Sequence, residues 1–363
     1  MSLRSDDDAN CPIPLPGCGD ALARTDTPDL PDLTFLRHHP RATMSVELTS
    51  SPVPGSDFYQ DIVSGLEKSP PTIASKYLYD DRGSRLFHQI CDLPEYYPTR
   101  TELTLTRRHA SDLAAQVGSR AQLIELGVGR GVKTRILLDE LHDLAAYVPI
   151  DISPQELHRC VHCLRAQFPD IQIRPLCADY NEDFTLPDIS FEGRTVFYYP
   201  GSTIGNFTPH IASQFLQRLS RYAGPRGALI VGVDLEKDPQ ILHAAYNDAG
   251  GITAEFNLNL LRRINRECRA DFDLQKFRHR AVYQEDNKRI EMRLVSTHSQ
   301  TVHFPDRTFH FDEGDFLVTE HSYKYTIEDF ALLCEESGWR TRSLWSDRDA
   351  LFSLWYLETA TIH

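Results

Sequence analysis

The stretch LIELGVGRGVKTR, residues 123–135, decides the fold class of this chain. An apolar run of strand character leads into a turn with glycines at alternate positions, and a helix carrying Lys133 and Arg135 follows. Glycine lets the backbone turn sharply and approach a ligand closely, and the N-terminus of the next helix offers unpaired N–H groups. The pattern therefore predicts a strand, a ligand-binding turn and a helix of a doubly wound α/β fold.

The spacing of the glycines distinguishes between two kinds of cofactor. A dinucleotide-binding turn has the pattern G-x-G-x-x-G, but Val132 stands where its third glycine belongs. Glu125 instead begins the pattern acidic-x-G-x-G-x-G, which resembles the first motif of S-adenosylmethionine-dependent methyltransferases. A second carboxylate, Asp151, ends the next apolar run, where such folds bind ribose hydroxyls. A glycine-rich turn that binds no nucleoside remains an open alternative.

The composition of the 363-residue chain limits the classes of partner. The length allows two domains or one elaborated domain. Because the net charge is −14, we expect neither a nucleic-acid partner nor an anionic membrane partner. We find neither an apolar run of about eighteen residues nor a secretory leader, and the eight cysteines are scattered. These features predict a cytoplasmic protein with reduced thiols.

The chain before the glycine turn differs in character from the chain after it. Residues 1–56 are rich in Asp, Pro, Ser and Thr and predict a flexible tail, within which Met44 is an alternative start. Residues 94–98, PEYYP, predict a rigid loop that displays the hydroxyls of Tyr96 and Tyr97.

After the turn, apolar runs end at polar or glycine residues, namely Asp179, Gly201 and Asp234. This is expected if a ligand lies across the carboxyl ends of parallel strands. The alternation breaks beyond Asp234 and returns with a helix predicted over residues 327–337, ended by Gly338. Two closing strands predict a terminal hairpin, which is typical of the methyltransferase fold.

Seven strings, in order along the chain, resemble the histidine Nα-methyltransferase family of ergothioneine biosynthesis. They are YDDRGSRLFHQI, LPEYYPTR, ELGVGRGVKTR, GSTIGN, YNDAGGITAEFN, RIEM and TEHSYK. The resemblance extends from about Tyr77 to the C-terminus. Its main departure lies in the glycine turn, at Val128 and at residues 130–132.

The resemblance implies a class I methyltransferase fold, with a seven-stranded sheet that ends in an antiparallel hairpin, and a second α+β domain. Residues 100–236 and 325–363 would form the S-adenosylmethionine-dependent domain. Residues 57–99 and 237–324 would form the substrate-binding domain, with the amino acid in the cleft between the two. The chain is expected to be a monomer.

The activity implied is the transfer of methyl groups from S-adenosyl-L-methionine to the α-amino nitrogen of L-histidine. Three successive transfers would give trimethylhistidine (hercynine) and S-adenosyl-L-homocysteine. The alternative is a methyltransferase of the same fold that acts on another amino acid, such as tryptophan. Loss of Glu320 or Met292 would have favoured that alternative, and both residues are present.

The resemblance also implies the site residues. Those for the cofactor are Tyr79, Gly127, Lys133, Asp151 and Asp179, with Tyr79 over the methionine end. Those for the substrate are Tyr96, Gly201, Asn206, Tyr246, Met292, Glu320 and Ser322. Asn206, Tyr246 and the Gly201 backbone would hold the α-carboxylate and amine, and Tyr79 and Asn206 are the expected catalytic residues. Tyr96, Glu320 and Ser322 would bind the imidazole, with Met292 packed nearby.

The chemistry of these side chains agrees with those roles, because a carboxylate accepts an imidazole N–H and a hydroxyl can donate or accept. Simpler explanations remain open for four of them. Glu320 is also explained as a surface strand residue paired with Lys324, and Asn206 as a helix cap or a turn residue. Met292 is also explained as core, and Tyr246 as a packing aromatic in a loop.

The string CVHC, with Cys160 and Cys163, is the remaining candidate site. A structural zinc needs a second pair of ligands of similar quality, and none is found. The two thiols also lie on one predicted helix and point in different directions. We therefore expect no metal.

Overall fold

The computed structural model describes residues 57–189 and 191–360, in which βα units alternate and an antiparallel sheet is inserted after the fifth strand. The α-helices are α1 (Asp57–Leu66), α2 (Asp81–Cys91), α3 (Tyr97–Val117), α4 (Val132–Leu138), α5 (Pro154–Gln167), α6 (Pro209–Ala223), α7 (Pro239–Tyr246), α8 (Ile252–Cys268) and α9 (Ile327–Glu336). The strands are β1 (Ala121–Leu126), β2 (Leu144–Asp151), β3 (Leu176–Cys177), β4 (Thr195–Tyr199), β5 (Ala228–Asp234), β6 (Phe277–Gln284), β7 (Arg289–Ser296), β8 (Gln300–His303), β9 (Thr308–Phe311), β10 (Phe316–Tyr323), β11 (Trp339–Ser346) and β12 (Phe352–Thr359). Short 3-10 helices include Ser75–Leu78 and Thr203–Asn206. The predicted tail and the alternative start at Met44 lie outside the described residues.

The larger sheet has seven strands within the described ranges, in the order β11-β12-β5-β4-β1-β2-β3. Strands β1 to β5 pair in parallel, whereas β12 runs antiparallel to both β5 and β11. The predicted seven-stranded sheet with a terminal hairpin is therefore confirmed. Neighbouring residues of β1 alternate between two apolar cores, with Leu123 in one and Ile124 in the other. A parallel strand that is buried on both faces needs a continuous apolar run, and LIEL supplies one except at Glu125.

Local sequence signals fix the helix ends. Ser153 and Thr208 cap α5 and α6, as their side chains accept backbone N–H groups three residues on, and α9 ends just before Gly338. The helix predicted over residues 327–337 is therefore confirmed as α9. The apolar run before Asp179 gives only the two residues of β3, because Pro175 has no N–H to donate to a strand ladder.

The predicted loop over residues 94–98 is partly wrong. Tyr97 is the first residue of α3, and Pro98 lies in its first turn, where a missing N–H costs nothing. Tyr97 is buried, and its hydroxyl donates to Asp234 at 2.7 Å. Of the two tyrosines, only Tyr96 lies outside the helix.

A three-stranded sheet has the order β10-β7-β6 and packs against helices α1, α2, α7 and α8, and β8 pairs with β9 in a separate two-stranded sheet. A register shift between Val318 and Glu320 bends β10 where it pairs with β7. The core of this part is built from residues 59–97 and 242–317. In the described part of the chain, every helix is too short or too polar to cross a membrane.

Candidate active site

The glycine turn lies at the carboxyl end of β1 and has a conformation that requires glycine. Gly127 and Gly131 have φ angles of 77° and 62°, in the left-handed region. A Cβ on Gly131 would lie 2.7 Å from the thiol of Cys160, so α4 packs too closely for any side chain there. A Cβ on Gly127 would lie 3.7 Å from the ring of Tyr180. The turn is thereby held between α5 and the loop after β3.

Glu125 lies on β1 just before this turn and is hydrogen-bonded to the helix that follows the turn. Its carboxylate accepts hydrogen bonds from Thr134 Oγ1 at 2.6 and 2.8 Å and from the Tyr147 hydroxyl. Burial raises the pKa of Glu125 to about 7, and the two hydroxyls oppose that rise. Because Thr134 lies on α4, Glu125 fastens the helix to the strand and is not exposed to a ligand.

Asp151 faces the turn from the end of β2. Its Oδ1 accepts the N–H of Ser153 at 2.9 Å, and its Oδ2 accepts the N–H of Gly129 at 3.5 Å. Burial raises the pKa of this carboxylate, and the backbone N–H groups oppose the rise. A half-buried carboxylate beside a glycine turn can accept the hydroxyls of a ribose, so this part of the site fits a nucleoside.

Lys133 and Gly201 meet at a residue that the sequence analysis missed. The Lys133 ammonium donates a hydrogen bond to the buried carboxylate of Glu102, and the Gly201 N–H donates to both of its oxygens, at 2.8 and 2.9 Å. The only signal for Glu102 in the sequence is its place on the buried face of α3, in line with Leu105 and Thr106. A charged residue in an apolar stripe requires a buried partner.

Asp179 follows β3, and it too has a partner that the sequence did not indicate. Its Oδ2 lies 3.0 Å from Lys76 Nζ, and its Oδ1 accepts the N–H of Asn181 at 2.9 Å. Lys76 belongs to the 3-10 helix Ser75–Leu78, directly before Tyr79. The segment that carries Tyr79 is thus tied to the end of β3.

A chain of edge-to-face aromatic contacts connects three of the predicted residues. Tyr79 contacts Phe87 with ring centroids 5.4 Å apart, Phe87 contacts Tyr96 at 6.4 Å, and Tyr96 contacts Tyr246 at 6.0 Å. Burial is the main cause that raises the pKa of Tyr79 well above its usual value, and the charge of Glu320 adds to it. Tyr79 therefore lies within electrostatic reach of the Glu320 side of the site.

On the Glu320 side, four predicted substrate residues lie on β10 and the elements beside it. The Tyr246 hydroxyl, at the end of α7, lies 2.8 Å from Ser322 Oγ. Met292 on β7 pairs in register with Glu320 and is buried in the smaller core. Met292 is thus a core residue, as one explanation proposed, and it lies opposite Glu320 as well.

Glu320 is a half-buried carboxylate with an unusual environment. Burial raises its pKa to about 7, and the charge of Lys324 opposes the rise. Among residues 57–189 and 191–360, no group donates a hydrogen bond to its carboxylate. The ammonium of Lys324 pairs with Asp234 at 2.7 Å instead, so the explanation of Glu320 as a surface residue paired with Lys324 is wrong.

Asn206 ends the 3-10 helix Thr203–Asn206, which is pressed against β10. A Cβ on Gly205 would lie 2.8 Å from the carbonyl oxygen of Tyr323, so the turn fits only with glycine there. Asn206 is half-buried and does not cap a helix, because Thr208 caps α6. The explanation of Asn206 as a turn residue stays open.

The CVHC string lies on α5. Cys160 is buried beneath the glycine turn, whereas Cys163 is exposed. The two thiols face different sides of α5.

A comparison with known proteins gives the geometry its context. The family model described as "Histidine-specific methyltransferase, SAM-dependent" matches residues 58–359. The chain belongs to this family. Its sheet order and terminal hairpin are those of the class I fold, and the protein is an S-adenosylmethionine-dependent methyltransferase.

Relatives within this family include enzymes of known name. The histidine N-alpha-methyltransferase of Mycolicibacterium smegmatis is 39% identical over 300 residues, which cover 81% of this chain and 92% of that one. The enzyme of the same name from Mycobacterium tuberculosis is 38% identical over the same shares. Ergothioneine biosynthesis protein 1 of Neurospora crassa is 30% identical over 76% of this chain and 32% of its own length.

Proposed function

We propose that this enzyme transfers methyl groups from S-adenosyl-L-methionine to the α-amino nitrogen of L-histidine. Three successive transfers give hercynine for ergothioneine biosynthesis. The observation that carries the proposal is the match to the histidine-specific family, which extends over residues 58–359 and so includes every described strand. Tryptophan is not favoured as the substrate, since the family model is histidine-specific and the two mycobacterial relatives are named histidine N-alpha-methyltransferases.

On the cofactor side, the proposal assigns roles to five residues. S-adenosylmethionine, when bound, supplies a methyl group already activated on a sulfonium. Asp151 would accept the ribose hydroxyls, with the turn at Gly127 giving close access, and Asp179 would face the base. Lys133, held by its hydrogen bond to Glu102, would line the cofactor site. Tyr79 would cover the methionine end.

On the substrate side, the imidazole would donate an N–H to Glu320. The absence of a hydrogen-bond donor to that carboxylate among the described residues supports this role. Ser322 and Tyr96 would complete the ring contacts, and Met292 would pack against them. Leaving one such buried polar group without its partner costs about 1–3 kcal/mol, so the pocket would reject apolar amino acids.

The α-carboxylate and amine would bind to Asn206, Tyr246 and the backbone of Gly201. Because Glu102 already accepts the Gly201 N–H, only the Gly201 carbonyl is left for the substrate, and a carbonyl suits the amine. Asn206 would hold the other end of the zwitterion.

Catalysis would rest on positioning. Burial keeps Tyr79 and Tyr96 protonated at neutral pH, so neither supplies a phenolate base. We infer that the amine reacts as the neutral form and that aligning it in a closed site contributes about 7–11 kcal/mol. The rings of Tyr79 and Tyr96 would tolerate the cation that grows with each methyl group.

We also propose a division of the chain into two domains. The separate core of residues 59–97 and 242–317 supports a substrate-binding domain formed by residues 57–99 and 237–324. Residues 100–236 and 325–363 would form the methyltransferase domain. We further propose that the enzyme is a cytoplasmic monomer without nucleic-acid or membrane partners.

One experiment tests the activity. The purified protein is incubated with S-adenosylmethionine and, separately, with each of the twenty amino acids, and the products are weighed by mass spectrometry. We expect histidine alone to gain one, two and three methyl groups. A gain on tryptophan with none on histidine would overturn the proposal.

A further inference from the structure

We propose that Lys324 is a positioning residue that sets the preference of the site for a free α-carboxylate, acting through the hydroxyls of Tyr246 and Ser322. This inference rests on the proposed function, because it concerns how the same pocket recognises its amino acid. The proposed function gives Lys324 no role.

Lys324 is buried, and its ammonium has three hydrogen-bond partners. It lies 2.7 Å from Asp234 Oδ2, 2.7 Å from Ser322 Oγ and 3.0 Å from the Tyr246 hydroxyl. An ammonium carries three N–H groups and no acceptor, so all its donors are used. Both hydroxyls must therefore accept from Lys324.

This arrangement fixes the direction of the remaining protons. Tyr246 and Ser322 lie 2.8 Å apart, so one hydroxyl donates to the other. The second hydroxyl has already accepted from Lys324 and from its neighbour, and its own proton is free to be donated. The pair thus presents a single outward O–H donor. We place this donor on Tyr246, with Ser322 donating to the phenol oxygen, because the proposed function sets Tyr246 at the α-carboxylate, which accepts an O–H.

The charge around Lys324 has the same effect. Asp234 is buried and shared between two ammonium groups, because Lys237 Nζ lies 2.6 Å from its Oδ1. One carboxylate thus faces two cations beneath the Tyr246 hydroxyl. The Lys324 ammonium polarises the Tyr246 hydroxyl that accepts from it, so the proton of that hydroxyl becomes a stronger donor to an anion.

Lys237 offers a matched control. It shares Asp234 with Lys324 and also donates to Tyr97, but no hydrogen bond joins it to Tyr246 or Ser322. When Lys324 is replaced, Asp234 keeps Lys237 as its counter-ion. A Lys324→Met variant therefore does not leave an isolated charge in the core.

The test compares L-histidine with L-histidinol, in which a hydroxymethyl group replaces the carboxylate. Calorimetry with S-adenosylhomocysteine present gives the affinity of each for the wild type, Lys324→Met and Lys237→Met. We expect Lys324→Met to lose about ten- to a hundredfold in histidine affinity and little in histidinol affinity. Lys237→Met should keep the wild-type ratio of the two.

A double variant shows whether Lys324 acts through Tyr246. Lys324→Met added to Tyr246→Phe should cost little further histidine affinity, because the hydroxyl that transmits the effect is already gone. If Lys324→Met fails to bind S-adenosylhomocysteine, Lys324→Gln replaces it in the same comparison, since glutamine keeps two N–H donors without the charge.

Equal losses for histidine and histidinol would overturn the inference, as would a ratio in Lys237→Met that matches that in Lys324→Met. Failure of the proposed function looks different, because the wild type would then neither bind nor methylate histidine. In that case the amino acid found in the methylation screen and its alcohol are compared in the same variants, and the same outcomes decide.

Discussion

The Gly201 N–H donates to both oxygens of the Glu102 carboxylate, at 2.8 and 2.9 Å. The same carboxylate accepts a hydrogen bond from Lys133 on α4, next to the glycine turn. Glu102 itself lies on α3 and is buried. One buried group therefore joins the helix on the cofactor side to the turn on the substrate side, and its removal should affect both ligands.

We expect Glu102→Ala to weaken the binding of both S-adenosylhomocysteine and histidine and to lower the free energy of unfolding by about 1–3 kcal/mol. The loss stays moderate because Lys133 keeps 19% of its side chain exposed and can be hydrated. Calorimetry and chemical denaturation measure the three quantities. Glu140→Ala, which removes an exposed carboxylate bonded to Ser111, is the control. Unchanged cofactor affinity in Glu102→Ala would show that Glu102 does not position Lys133.

Glu320→Ala separates the two ligands. We expect histidine affinity to fall by about tenfold or more, because an imidazole N–H loses its charged acceptor, and cofactor affinity to stay nearly intact. Calorimetry with each ligand checks this, with the exposed Glu313→Ala, in the turn before β10, as the control. If both affinities fell together in Glu320→Ala, the role assigned to Glu320 would be wrong.

The raised pKa of Glu320 predicts a pH-dependent effect on stability. Burial raises this pKa to about 7 in the folded protein, above the value of about 4.3 in an unfolded chain. The contribution of Glu320 to stability is therefore present below about pH 4.3 and is lost as the pH rises through 7. The side chain of Glu320→Gln cannot ionise. Its free energy of unfolding should therefore rise by about 2–3 kcal/mol relative to that of the wild type when the pH is raised from 5 to 7.5.

Denaturation of the ligand-free wild type and Glu320→Gln at both pH values measures this gain. Glu125 also has a pKa raised to about 7, but it is present in both proteins and cancels in the difference. Glu313→Gln serves as the control for replacing a carboxylate on the same strand connection. A difference that does not change with pH would mean that Glu320 is not desolvated in the folded protein.

The sequence predicts the large sheet because its signals are local. A continuous apolar run before a glycine turn acts within a few residues, so β1 and α4 form where expected. The positions of Asp151 and Gly201 follow from the same rule, because each ends a parallel strand at the carboxyl edge.

The missed residues are those whose partners are distant in sequence. Glu102 binds the Gly201 backbone from 99 residues earlier in the chain, and Lys76 binds Asp179 from 103 residues earlier. Lys324 is four residues from Glu320, which suggested a pair. The bridge between Leu235 and Tyr325 instead brings the end of β5 beside it, so Asp234 becomes its partner. A pattern within a few residues of sequence carries no information about this contact between distant segments.

Asp151→Asn tests the cofactor side at one atom. The amide keeps one oxygen, but it loses the charge that lets a carboxylate accept two hydroxyls strongly. Asp143 lies just before the other end of β2 and is exposed, so Asp143→Asn is a control on the same strand. We expect Asp151→Asn to lower S-adenosylhomocysteine affinity by about tenfold, with histidine affinity at saturating cofactor unchanged. Equal cofactor affinities in the two variants would remove Asp151 from the cofactor site.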